Sequence, residues 1–202
     1  MILADFGTSY SKFLDLKQPD PVPEVVPTKE LLDVPSISIA TGHNGKRFAD
    51  RYVNELTALA RGGEKCISGA AFVLLDCGSR DIKFVRYDKN GRLEDMGWNA
   101  ECGASMGFTI ELLESYYELD YHHLVVPDRT FSVTCGVLGM SHIFDAVISG
   151  TPVAEAVASF VKGIALNAHR FAGAPDKLYL SGGLCENPLF VKSFPCEVVP
   201  LG

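Results

Sequence analysis

The stretch LLDCGSRDIKFVRY, Leu74 to Tyr87, decides how the rest of the chain is read. An apolar run, AAFVLL, ends at Asp76, and Gly78 and Ser79 follow almost at once. Ile82 to Tyr87 continue as a second strand, and DKNG at 88–91 turns that strand into a third. Asn-Gly between alternating segments is a hairpin signal, because both residues tolerate the positive φ of tight turns. The same order of residues opens the chain, in LADFGTSYSKFLDL, Leu3 to Leu16. Both copies read strand, Asp, one residue, Gly, a small hydroxyl residue, then a Lys-Phe pair in the next strand. An internal repeat of this kind predicts two lobes, 1–67 and 68–202, each offering a similar turn.

Outward from these turns, SISIATG at 36–42 reads as a short strand. Residues 18–35 carry five prolines and are expected to be a surface connection that is not regular throughout. Phe48, Tyr52, Val53, Leu56 and Leu59 recur near helical spacing, which predicts one helix ended by Gly62 and Gly63. Further helices are expected after NAECGASMG (99–107) to about Leu119, over 137–149 and over 153–171. KLYLSGG is a late strand ending in two glycines, and CEVVPL is a candidate for another. Hairpins first and helices after, in each half, place the chain in the α/β class.

A strand that ends in Asp-x-Gly-Ser/Thr has a physical use. The glycine lets backbone N–H groups approach an anion, the hydroxyl adds a donor, and the Asp can hold magnesium through water. One copy alone is more often an ordinary tight hairpin. Two copies, with Gly182 and Gly183 in LSGGLCEN where a purine can lie against backbone, shift the reading to a nucleotide site. The candidate binding residues are Gly7, Thr8, Ser9 and Lys12 in the first turn and Gly78 and Ser79 in the second, with Gly182 and Gly183.

The 202 residues are 47% hydrophobic and 21% charged, as in a globular protein. A net charge of -7 argues against nucleic acid or an anionic membrane surface as main partners. No apolar run reaches the ~18 residues of a membrane span. MILADFG has an acid and no basic leader, so a cytoplasmic location is expected. The six cysteines form no CxxC pair and read as scattered thiols rather than a disulfide framework. Cys102 and Cys135 differ from the rest, since each precedes a glycine and an expected helix, whose positive end favours a thiolate. By position alone they still read as structural residues, and four thiolates brought together suit iron–sulfur or zinc about equally. His122 and His123 are adjacent, point apart, and read as surface residues.

Paired glycine turns with a late Gly-Gly resemble the actin, sugar kinase and Hsp70 class of ATP-binding folds. Within it, the chain is similar to the ATPase activators of 2-hydroxyacyl-CoA dehydratases and benzoyl-CoA reductases. The segments that carry the resemblance are DFGTSYSK, IATG, LLDCGSRDIKFV, NAECGASMGFTIELLE, TCGVLGMSHIFDAVISG and YLSGGLCEN, in that order. The resemblance implies an actin-like (ribonuclease H-like) ATPase fold with two lobes, truncated relative to typical members. It implies ATP/ADP and Mg2+ as ligands, with Asp5 and Asp76 positioning the metal and the attacking water. It also implies a [4Fe–4S] cluster shared across a homodimer, with Cys102 and Cys135 as each copy's ligands. The implied partners are a ferredoxin or flavodoxin as electron donor and a dehydratase or reductase component as acceptor.

The pattern departs from such activators in three places. The chain is shorter, Met140 and His142 replace usual acids, and the second turn reads Gly-Ser-Arg-Asp where Gly-Gly-Gln-Asp is usual. Arg80 in that turn bears on the rate of hydrolysis. A small-molecule kinase of the same fold and a non-hydrolysing scaffold are the rival readings.

Overall fold

Each copy of the repeat opens a five-stranded mixed sheet, and the two sheets share one topology. In a computed structural model, the chain divides into two units, Met1–Lys65 and Cys66–Gly202. The structure describes residues 1–31, 34–100, 106–133 and 136–201.

In the first unit, β1 (Ile2–Phe6), β2 (Tyr10–Asp15), β3 (Glu24–Pro27), β4 (Ile37–Gly42) and β5 (Ala49–Tyr52) lie in the order β3-β2-β1-β4-β5. The first three strands form an antiparallel meander, and β4 and β5 add in parallel on the other side of β1. A four-residue helix, α1 (Gly45–Phe48), and the longer α2 (Glu55–Cys66) complete the unit. Its core is small, built on Ala4, Phe6, Ile37 and Ala40.

The second unit repeats the plan with β6 (Phe72–Cys77), β7 (Ile82–Tyr87), β8 (Leu93–Asn99), β9 (Lys177–Ser181) and β10 (Glu197–Pro200). The order is β10-β9-β6-β7-β8, again an antiparallel meander on one side and parallel strands on the other. Among the described residues four α-helices accompany it: α3 (Met106–Tyr117), α4 (Gly136–Ile148), α5 (Val153–Phe171) and α6 (Pro188–Lys192). Every residue of β6 but Asp76 is buried, so both faces of this strand are covered.

Small residues let α5 run through the middle of this core. Ala156, Ala158, Ser159, Gly163, Ala165 and Ala168 are all buried. A Cβ on Gly163 would lie 2.4 Å from the Phe131 carbonyl oxygen, and one on Gly139 of α4 would lie 2.5 Å from the Phe160 ring. Phe160, Leu75, Leu178 and Leu180 are fully buried where helix meets sheet.

The structure corrects or adds to the sequence reading at four points. The helix expected from Phe48 is interrupted by β5, whose pairing with β4 takes Ala49–Tyr52 into the sheet. Asn54 then accepts from the Leu56 backbone N–H at 3.0 Å, and α2 runs through Gly62 and Gly63 rather than stopping at them. Inside the proline-rich connection, Glu24–Pro27 form β3 against β2. The α6 helix was not anticipated, although Asn187, which accepts from the Phe190 N–H at 2.9 Å, and Pro188 after it form a helix-start pair.

Phe160→Ala removes one of the two phenylalanines fully buried in the second unit and is expected to lower stability by about 3–5 kcal/mol. Urea unfolding followed by circular dichroism measures it.

Candidate functional site

In the first unit, Asp5 is the second-last residue of β1 and pairs in register with Lys12 on β2 and Thr41 on β4. The Lys12 ammonium donates to Asp5 Oδ2 at 3.2 Å, and both side chains are part-exposed. Gly7 begins the turn with no room for a side chain, since a Cβ would lie 2.4 Å from the Tyr10 carbonyl oxygen. The Thr28 hydroxyl donates to that same glycine's carbonyl at 2.9 Å, and the Thr28 N–H donates to the Ser9 carbonyl at 2.9 Å. These bonds tie the turn to the end of β3. Thr8 is exposed and Ser9 half-buried.

The second unit builds the same arrangement more tightly. Asp76 pairs with Lys83 on β7 and Ser181 on β9. Ser181 donates its hydroxyl to Asp76 Oδ1 at 3.0 Å, and the Lys83 ammonium lies 3.8 Å from Asp76 Oδ2. Lys83 is buried, donates to Asp81, and sits 5.2 Å from the centre of the Trp98 ring. The Trp98 indole N–H donates to the other Asp81 oxygen at 2.9 Å. Gly78 closes the turn by donating to the Asp81 carbonyl at 3.1 Å. Arg80 is exposed beside it.

The repeat therefore extends beyond the hairpins. In each unit a carboxylate is flanked by a lysine on the antiparallel side and a hydroxyl residue on the parallel side. A glycine follows each hydroxyl residue: Gly42 at φ +88° and Gly182 at φ +86°. Each lies against the residue after the aspartate. A Cβ on Gly42 would be 2.4 Å from the Phe6 carbonyl oxygen, and one on Gly182 would be 2.5 Å from the Cys77 carbonyl oxygen and 2.8 Å from Asp76 Oδ1. Gly183, by contrast, has nothing within 4 Å of where its Cβ would stand. The copies differ in one respect. Among the described residues the buried Thr41 hydroxyl oxygen finds no hydrogen-bond partner, whereas its counterpart Ser181 holds Asp76.

Sequence reasoning did not find Thr41, Gly42, Ser181, Trp98 or Glu111 as parts of this arrangement. The Ser79 hydroxyl donates to Glu111 Oε1 of α3 at 2.7 Å, a contact across 32 positions that no local pattern displays. The sequence signal for Thr41-Gly42 and Ser181-Gly182 was a hydroxyl residue and glycine closing a parallel strand in both halves.

Cys102 and Cys135 lie outside the described residues, as does the idea that they ligate a cluster. Among the described residues, no three His, Cys, Asp or Glu side chains gather into a metal-binding group. Cys77 and Cys185 are buried, Cys196 is half-buried, and Cys66 is exposed at the end of α2 rather than packed in a core. Burial drives the Cys77 thiol well above its ordinary range, and the neighbouring Asp76 charge adds to the effect. A thiol so disposed is a packing residue and not a nucleophile. His122 and His123 are exposed, with His123 Nδ1 2.7 Å from Asp120.

No family model matches the chain. It is 26% identical over 179 residues to the 2-hydroxyisocaproyl-CoA dehydratase activator of Clostridioides difficile, covering 79% of this chain and 64% of that protein. It is 24% identical over 173 residues to the activator of lactoyl-CoA dehydratase of Anaerotignum propionicum, covering 78% and 65%. The solved activator of the 2-hydroxyisocaproyl-CoA dehydratase from Clostridium difficile with bound ADPNP superposes with a TM-score of 0.76 at 20% identity, covering 99% of this chain and 87% of that one. By sequence the chain is similar to these two dehydratase activators. Its fold is the actin-like ATPase fold, and its match spans just under two thirds of the length of these two curated relatives. No described helix is long and apolar enough to cross a membrane.

The two late glycines are expected to behave differently. Gly182→Ala forces a Cβ onto the Cys77 carbonyl at a positive φ and should cost on the order of 3 kcal/mol, while Gly183→Ala should stay within about 1 kcal/mol of wild type. Thermal unfolding of the two variants checks the contrast.

Proposed function

We infer that this chain binds and hydrolyses magnesium-ATP and serves as an ATP-dependent activator of a 2-hydroxyacyl-CoA dehydratase or a benzoyl-CoA reductase-type partner. The observation that supports this best is the duplication itself. An aspartate, a lysine, a hydroxyl and a backbone-hugging glycine stand at the ends of β1 and β4, and again at the ends of β6 and β9. Duplicated folding cores do not need duplicated polar ends, whereas phosphate chemistry uses both.

The donor set fits magnesium. Carboxylate and hydroxyl oxygens are hard ligands, and magnesium keeps several waters of its own, so one or two carboxylates suffice. Asp5 and Asp76 would hold the ion through water, and the ion would supply charge neutralisation for the phosphates. Within the second turn, Ser181 fixes one Asp76 oxygen at 3.0 Å, which sets the plane of the carboxylate and leaves Oδ2 facing Lys83. The backbone at Gly7, Thr8, Ser9, Gly78 and Ser79 offers N–H groups to phosphate oxygens, with Lys12 beside the first turn. Gly182 and Gly183 leave bare backbone against which a nucleoside can lie. Asp76 thus orients water for attack on the terminal phosphate rather than supplying affinity.

The finer part of the reading concerns electron transfer. Cys102 and Cys135 from each of two copies would ligate a [4Fe–4S] cluster, which would supply one-electron chemistry, with a ferredoxin or flavodoxin as donor. The resemblance of NAECGASMG and TCGVLGM to segments of such activators supports this ligand set.

Asp76→Asn should lower ATP turnover about 100-fold or more while Mg-ADP affinity stays within a few-fold. An ATPase assay beside a calorimetric titration measures both, and a wild-type chain that binds no Mg-nucleotide at millimolar concentration overturns the reading. In protein purified without oxygen, Cys102→Ser or Cys135→Ser should abolish the iron–sulfur absorbance and leave nucleotide binding intact. Full iron and sulfide content in both variants would remove the cluster from the proposal.

A further inference from the structure

The second turn is fastened to α3 at three neighbouring positions. Gly107 lets the first helical turn lie on the loop, since a Cβ there would be 2.3 Å from the Gly78 carbonyl oxygen and 2.8 Å from Ser79 Cα. The Phe108 N–H, one of the donors that the start of a helix leaves without a partner in its own backbone, donates to the Ser79 carbonyl at 2.9 Å. One turn further along, the Glu111 carboxylate accepts the Ser79 hydroxyl at 2.7 Å. Ser79 therefore caps the helix with its carbonyl and grips it with its hydroxyl.

A serine hydroxyl has a single proton to give. While it is donated to Glu111, it cannot be donated to a phosphate. A phosphate that uses Ser79 must take that proton from Glu111, and the two anions also repel one another. We propose that Glu111 is a positioning residue that competes with nucleotide phosphate for the Ser79 proton, so that filling the turn releases the grip on α3. This rests on the nucleotide reading of the turn and adds to it the route by which occupancy reaches a helix. The Phe108 cap uses the Ser79 carbonyl, which no phosphate contests, and Ile110 and Leu113 keep the second turn of α3 packed in the core, so α3 stays in place and loses only the Ser79 grip on Glu111. The contact between the turn and Glu111 thus has two states, selected by whichever anion holds one proton.

A double-mutant cycle on Mg-ADP affinity tests this, using wild type, Glu111→Gln, Ser79→Ala and the double variant in isothermal titration calorimetry. Glutamine keeps an acceptor but loses the charge that strengthens the bond. Glu111→Gln should therefore bind Mg-ADP about five- to ten-fold more tightly. With Ser79→Ala there is no proton to contest, and the same glutamate change should alter affinity by less than about two-fold. Hydrogen exchange gives a second readout. Saturating Mg-ADP should raise exchange in the second turn of α3 in the wild-type chain and leave it unchanged in Glu111→Gln. Equal tightening in both backgrounds would reduce Glu111 to a charge that repels phosphate. An α3 that exchanges alike with and without ligand would also overturn the proposal, even where the wild type binds Mg-ADP. Absence of binding by the wild type defeats the nucleotide reading itself, and the competition with it.

Discussion

A lysine ammonium buried beside the second turn sets the terms for everything around it. Lys83 is only 5% exposed, and a buried cation is tolerated when opposite charge and hydrogen-bond acceptors surround it. Asp81 accepts from it, Asp76 stands 3.8 Å away, and the Trp98 ring lies 5.2 Å from it. These partners come from β6, from the turn and from β8, so the ammonium fixes the hairpin and its outer strand together. It also fixes Asp76, the single unburied residue of β6, at the end of that strand.

The first unit carries the same pairing without the burial. Lys12 and Asp5 are in contact at 3.2 Å with about two fifths of each side chain exposed, and an exposed ion pair of that kind contributes little to stability. The two copies of one pattern thus differ in rigidity. The second turn is braced by a buried charge, by Ser181 and by α3. The first is tied down by Thr28, and its Thr41 hydroxyl finds no partner among the described residues. The duplicated ends have thus diverged, the second braced by buried charge and the first tied to the end of β3 by hydrogen bonds.

The hairpins were legible because their signals are local: an apolar run, an Asp-x-Gly turn, and Lys-Phe in the returning strand. The late strands and the three longer helices of the second half were legible by period and length. Pairing hid the rest. Ala49–Tyr52 sits within a helix-like pattern, yet its backbone completes the sheet beside β4, and tertiary hydrogen bonds outweigh a weak helical period. The candidate site was half visible. Asp76 and Gly182 stood out in sequence, but Ser181 reaches Asp76 across 105 positions and Gly107 matters only because Gly78 lies against it. The paired cysteines drew attention to 99–107, and the described glycine of that stretch has a packing reason of its own.

The outermost strands β3 and β10 have the same four residues, Glu-Val-Val-Pro, at 24–27 and 197–200. Each is the last described strand on its side of its sheet, where unpaired backbone invites another chain to add on. Proline has no N–H to offer such a chain, and a glutamate at the other end puts charge where a flat hydrophobic edge would be sticky. Val25 is 57% exposed in one of these edges, so the safeguard is needed there. Four-residue strands bounded by an acid and an imino acid thus give this chain a defence against aggregation.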